Sequence, residues 1–217
     1  MIHNSLRENI RNVLQKEIIE GYFDDYLEIN QVQLSKRFGT SRGPIREALA
    51  QLESVGLVEY NAYKKVNVKI IDKKYVIDLY NVRKIIEIFA IKELIKLNNK
   101  KIKFQLEKIL LQMKEAIIKK NKSDVASLDL LFHRTIIIGT NNNFLIRSWE
   151  ALEIGVMRCI HKRYKIYDSL EEVIGNHPLI IKHIINNDEK RAEDLISVHI
   201  QEALEKILLS WSNNERI

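Results

Sequence analysis

Residues 33–60 read QLSKRFGTSRGPIREALAQLESVGLVEY, and no other stretch narrows the fold as far. The run reads as a short helix, a tight turn at Gly39 and a second helix opening with Arg42 and Arg46. A helix-turn-helix of this kind lays its second helix in the major groove of DNA. Ser41 is a good N-cap, and Pro44 falls in the first turn, where a missing N–H costs little. Ile45, Leu49, Leu52 and Val55 continue as one apolar stripe until Gly56 ends the helix. Upstream, Leu6, Ile10, Val13, Leu14 and Ile18 have helical spacing over 5–20, and Gly21 stops it. Residues 22–30 read as a loop, and 31–38 as the motif's first helix, with Val32, Leu34 and Phe38 partly inward. Downstream, 57–60 and 66–70 read as two short strands of a hairpin wing with 61–65 between them. The expectation is a winged helix-turn-helix over residues 1–70.

The rest of the chain reads differently. Only two prolines and seven glycines punctuate 217 residues, which argues for long helices. After a short connection at 71–74, helices are expected over 75–97, 102–119, 123–139, 143–164, 169–186 and 188–211. The fold class is therefore mainly α: a winged helix-turn-helix followed by an all-helical bundle over 75–211. Net charge is +6, yet residues 1–70 carry ten Lys/Arg against nine Asp/Glu. DNA binding would thus depend on where charges sit, with modest nonspecific affinity that weakens with salt. The single cysteine, Cys159, excludes an intrachain disulfide and a multi-thiolate zinc site, and reads as a small buried apolar residue. The N-terminus lacks a signal-peptide core and no apolar run reaches membrane length, so a cytoplasmic protein without a membrane partner is expected.

Two sets of residues carry chemistry. In the first, Arg42 and Arg46 are four apart and share a helix face. Arginine suits that place because its planar fork grips guanine O6 and N7 together. Ser41 can serve as cap and phosphate donor, and Gly43 lets the backbone approach the duplex. Lys64 and Lys65, with Tyr63 beside them, stand at the wing tip. The competing reading is a helical hairpin with solvated arginines. In the second set, Asp129 and His133 are one turn apart on one face, and His177 and His199 lie on later helices. Inward side chains of a bundle meet in its interior, and three imidazoles with one carboxylate suit Zn, Ni, Co or Fe(II), Mn less well. By spacing alone this is a weak metal signal beside the reading of four unrelated polar residues. Arg83 sits among apolar residues in LYNVRKIIEIFA and needs an anionic partner, for which Glu87 at i+4 is available.

Residues 5–70, most specifically SRGPIREALAQLESVGLV, resemble the GntR family of bacterial transcription regulators. The resemblance implies that Arg42, Arg46 and wing residues contact operator DNA. The chain departs from the usual pattern at Val32, where many members carry Arg, and at the wing tip, which lacks a glycine. Residues 73–210 resemble the FCD effector domain of the FadR subgroup, through DLYNVRKIIEIFAIK, DLLFHRTIIIGTNNNFL and NHPLIIKHIINNDEKRAEDLISVHIQEA. That resemblance implies a divalent metal, zinc first and nickel, iron, cobalt or manganese as alternatives, on Asp129, His133, His177 and His199. It also implies that Arg83 grips the carboxylate of a small organic acid beside the metal, with Asn142 in the pocket. Tyr80, Trp149 and Arg158 are further candidates to line it. The expected protein is a homodimeric regulator, a repressor in the commoner arrangement, on a near-palindromic operator. The alternatives are a metal-dependent hydrolase or hydratase, a metal-free FCD regulator, and a helical domain that only dimerises.

Overall fold

Asparagine stands at several of the helix boundaries among the described residues. The computed structural model describes residues 6–23, 27–61, 65–164 and 169–213, with no side chain described from 210 onward. The chain divides into two units, Met1–Asp72 and Lys73–Ile217.

In the first unit, α1 (Leu6–Glu20) packs its Ile10, Leu14 and Ile18 against α3 (Arg42–Ser54). From α3 come Ile45, Ala48, Leu49 and Leu52, all fully buried. Each such side chain contributes about 1.5–3 kcal/mol by leaving water, alanine less. Helix α2 (Gln31–Arg37) is capped by Asn30, whose Oδ1 accepts the N–H groups of Val32 and Gln33. Gly39, at φ +59°, makes the turn into α3. Strands β1 (Val58–Tyr60) and β2 (Val66–Val68) pair antiparallel, with Val58 opposite Val68 and Tyr60 opposite Val66. Three expectations change. Val55 is the C-cap of α3 and 45% exposed, so Ala48 completes the buried stripe in its place. Val32 is exposed as well, and only Leu34 of α2 is buried. Residues 27–29 are more than loop: Ile29 N–H donates to the Val66 carbonyl at 2.7 Å and Val68 N–H to that of Leu27 at 3.2 Å, giving the hairpin a third edge.

The second unit is built around α4 (Lys73–Leu97), which packs on α6 (Lys122–Gly139), α7 (Asn143–Tyr164), α9 (His177–Ile185) and α10 (Glu189–Asn213). Helix α5 (Lys100–Ile118) lies against α6 and α9, and α8 (Glu171–Ile174) is one turn. Asn98, Asn141 and Asn187 adopt left-handed φ of 46°, 53° and 56°, which asparagine tolerates better than most residues. The next residue then caps the following helix. Asn99 Oδ1 accepts from Lys101 and Ile102, Asn142 Oδ1 from Phe144 and Leu145, and Asp188 Oδ1 from Arg191. Each doublet is a stop and a start. The single helix expected over 169–186 is two, because Gly175 takes φ +40°, ψ −122° and Pro178 opens the next helix. Where the C-terminal ends of α4 and α9 meet, the buried Lys103 ammonium donates to Asn98 Oδ1 (2.8 Å), Asn187 Oδ1 (2.8 Å) and the Ile185 carbonyl (3.2 Å). Gly139 ends α6 against side chains of α4 and α5: a Cβ there would lie 2.7 Å from Leu94 Cδ1 and 2.9 Å from Ile102 Cγ2. Among the described residues no helix is long and apolar enough to cross a membrane.

Candidate functional site

The N-terminal turn of α3 presents its predicted DNA-reading residues together. Ser41, Arg42, Gly43 and Arg46 are all exposed. Arg42, Gly43 and Arg46 line an open concavity with Gln31, Glu47 and Tyr60. Ser41 has N-cap dihedrals, but its hydroxyl makes no capping bond. Among the described residues neither Arg42 nor Arg46 is in an ion pair, while Glu47 is held by Arg7 of α1 at 3.4 Å. Lys65 stands at the wing base with Nζ 2.7 Å from Glu28 Oε2, its N–H donated to Asn61 Oδ1. Lys64, like Tyr63, lies outside the described residues. The sequence reading missed Gln31 and Tyr60, which reach this concavity from neighbouring elements.

In the helical unit Asp129, His133, His177 and His199 converge. Each offers one ligand atom, all within 4.8 Å of one another, and all four residues are buried. Helix α6 supplies Asp129 and His133 one turn apart, α9 opens with His177, and α10 supplies His199. His177 Nε2 is 2.9 Å from Asp129 Oδ1, His133 Nε2 is 3.5 Å from the same oxygen, and His199 Nε2 is 3.3 Å from His133 Nε2. Ligand atoms about 2.0–2.1 Å from a tetrahedral ion stand roughly 3.3–3.4 Å apart. The 3.3 Å and 3.5 Å separations come close to that, the 2.9 Å one is shorter, and the whole set lies within 4.8 Å. Asp129 Oδ1 and His177 Nε2 are buried and make no properly oriented hydrogen bond despite their proximity. Two buried polar atoms left without a hydrogen bond this close together call for a further partner, and an ion bound to both would supply it. The donor set fits a divalent metal such as zinc.

The surrounding side chains prepare the ligands. His177 Nδ1 lies 2.7 Å from the Ile174 carbonyl, and His133 Nδ1 lies 2.5 Å from Glu87 Oε2. Both are acceptors, so each Nδ1 carries the proton and each Nε2 keeps a lone pair for the centre. Burial pushes the Asp129 carboxyl up, but Arg163, with Nη2 2.8 Å from Oδ2, and the imidazoles of His133 and His177 outweigh it and hold it well below the usual range. Burial, then the neighbouring imidazoles of His177 and His133, push His199 well below the usual histidine range, so it is neutral, as a ligand must be. Arg163 was not expected here; it sits in the basic run HKRYK, where nothing marks it out. Arg83 does have Glu87 as its partner, Nε to Oε1 at 2.6 Å, both fully buried. Its Nη1 and Nη2 remain buried without a hydrogen-bond partner. Tyr80 packs under that guanidinium, 5.2 Å from ring centroid to Cζ, and burial pushes its phenol up to about 12. Trp149 and Arg158 are buried. Asn142 caps α7, its Oδ1 accepting the N–H groups of Phe144 and Leu145. Cys159 is buried, with its thiol pushed up to about 12 by burial.

These two arrangements agree with what the chain resembles. Residues 6–68 match the gntR family of bacterial regulatory proteins, and residues 78–202, more than half the chain, match the FCD domain. The chain belongs to the GntR family. This GntR protein is 30% identical over 180 residues to the gluconate operon transcriptional repressor of Bacillus licheniformis, covering 81% of this chain and 74% of that one. It is 28% identical to the Bacillus subtilis protein of the same name, over 91% of this chain and 84% of that one. Its fold is that of E. coli McbR/YncC, with a TM-score of 0.80 at 19% identity, over 96% of this chain and 99% of that one. This GntR chain is therefore a transcriptional regulator with a C-terminal FCD domain, not an enzyme.

Proposed function

We propose that this regulator is a repressor whose grip on its operator is set by a small carboxylate bound at a metal centre in the FCD domain. The observation that carries the reading is the buried convergence of Asp129, His133, His177 and His199 beside the unpartnered Nη atoms of Arg83. Asp129 and the three imidazoles would hold the ion, zinc by donor type, with nickel, iron, cobalt and manganese as alternatives. A bound divalent ion supplies a Lewis-acidic anchor for a carboxylate, and Arg83 offers that anion a planar pair of donors. Arg42, Arg46, Ser41 and Gly43 read the operator, with Lys64 and Lys65 on the flanking backbone. Two such heads on a homodimer fit a near-palindromic site, since a two-fold protein matches a two-fold operator. The effector and the operator then bias each other's binding reciprocally. Two relatives are named for a gluconate operon, which makes a sugar acid the first effector to try.

The test is metal content by elemental analysis of the wild type and of His177→Ala, purified without chelator or nickel resin. Near-stoichiometric metal in the wild type and its loss in the variant support the centre and justify a thermal-shift screen of carboxylates. Absence of metal from both sinks it, and leaves a metal-free FCD regulator as the reading.

A further inference from the structure

Glu87 faces two ways. Its Oε2 lies 2.5 Å from Nδ1 of His133 and its Oε1 2.6 Å from Nε of Arg83, and all three side chains are fully buried. We propose that Glu87 is the positioning residue of the metal centre: it sets the His133 tautomer that keeps Nε2 bare, and it holds Arg83 by Nε alone so that both Nη groups stay open. The inference rests on the metal-centre reading above.

The argument is one of donors and acceptors. A carboxylate only accepts, so the His133 proton must sit on Nδ1 and the lone pair on Nε2. That Nε2 lies 3.3 Å from His199 Nε2 and 3.5 Å from Asp129 Oδ1, at the heart of the cluster. His177 is fixed the same way by the Ile174 carbonyl, so two of the three imidazoles are set by groups that cannot donate. On the other side, Glu87 lies four residues after Arg83 on α4, and the pair takes only the inner nitrogen of the guanidinium. Nη1 and Nη2 remain as buried donors without partners, the arrangement that receives an anion. Helix α4 supplies none of the four ligands. Through Glu87 it is nevertheless tied to the centre, one oxygen to the metal side and one to the anion side.

Glu87→Gln separates this from a merely structural role. If the glutamine oxygen serves Arg83, its NH2 donates to His133 Nδ1, and the imidazole proton moves to Nε2 and points into the cluster. If the amide rotates, NH2 meets the Arg83 N–H, donor against donor. Neither arrangement leaves both neighbours as they are.

Two measurements on the full-length protein test the proposal. In the metal-stripped wild type, ¹⁵N-histidine NMR reads the tautomer directly: His133 is expected as Nδ1–H, and an Nε2–H form overturns the proposal whether or not the variant folds. Zinc titration against a competing chromophoric chelator, with the visible spectrum of the cobalt(II) form, compares wild type and variant. The expected result is zinc affinity about 10–100-fold weaker in Glu87→Gln and a changed cobalt spectrum. Equal affinity and an identical spectrum overturn the role of Glu87 while leaving the metal centre intact. Failure of the wild type itself to bind zinc overturns the centre, and the proposal with it.

Discussion

Gly43→Ala puts one methyl group on the exposed face of α3, between Arg42 and Arg46. A Cβ built there meets only Ser41 Oγ, at 3.8 Å, an ordinary van der Waals contact, and the backbone is not in the left-handed region. The isolated fold therefore accepts the change, and removing a helical glycine contributes up to about 1 kcal/mol in its favour. Against DNA the balance reverses. Carbon atoms in contact stand about 3.5–4.0 Å apart, so a methyl beneath a close-lying duplex lifts the N-terminal turn that carries both arginines. Loss of one bidentate arginine–guanine contact costs about 1–3 kcal/mol, which is roughly 5–150-fold in affinity for each head. The assay is fluorescence anisotropy on an operator duplex selected from a random pool, at fixed salt, with thermal melts of the same samples. Weaker operator binding with an unchanged or raised melting midpoint is the expected outcome. Unchanged affinity would show that Gly43 does not face the duplex. A lowered midpoint would show that the space around it is not as described.

Gly139→Ala should behave in the opposite way, because its Cβ would press into Leu94 and Ile102. Overpacking of this kind costs about 1–3 kcal/mol, less up to about 1 kcal/mol from helix propensity. A fall of roughly 2–8 °C in the melting midpoint is expected, and a midpoint at or above wild type would refute the close packing. Acid should destabilise the metal-stripped protein in two stages. The folded-state pKa values of His199 and Asp129 are both depressed, so the unfolded chain binds more protons as pH falls. Stability is held above the ordinary histidine value of 6.5, declines below it as His199 resists protonation, and declines again below 3.8 through Asp129. Thermal melts in chelator from about pH 8 to about pH 2 measure both stages, and a midpoint that rises between about pH 7 and about pH 5 contradicts the first.

What could be read from the sequence follows the range of the interactions involved. The recognition helix was legible because its signals are local: a cap at Ser41, a turn at Gly39, a proline in the first turn and an apolar period. That same period misled at Val55, where the apolar spacing continues one step past the end of α3. Asp129 and His133 are visible as a pair one turn apart, but their union with His177 and His199 is only a weak signal from spacing, which the resemblance strengthens. Arg163 meets Asp129 across 34 residues, and residues 27–29 pair with β2 across nearly 40; no local pattern encodes either. The break between α8 and α9 rests on Gly175 and Pro178, a local signal within the helix expected over 169–186. Asn98, Asn141 and Asn187 end their helices in the left-handed region, a role that a single asparagine in the sequence does not announce.

Lys103 carries a consequence for the helical unit. Its ammonium sits among two amide oxygens and a main-chain carbonyl, the company a small monovalent cation keeps, but it is tethered to α5 by its own carbon chain. It is a counter-ion binding site whose ion can never dissociate. The C-terminal end of α9 is therefore anchored under any solution condition that leaves the amine charged. An ion held by His177 would act on the opposite end, at the first turn of the helix.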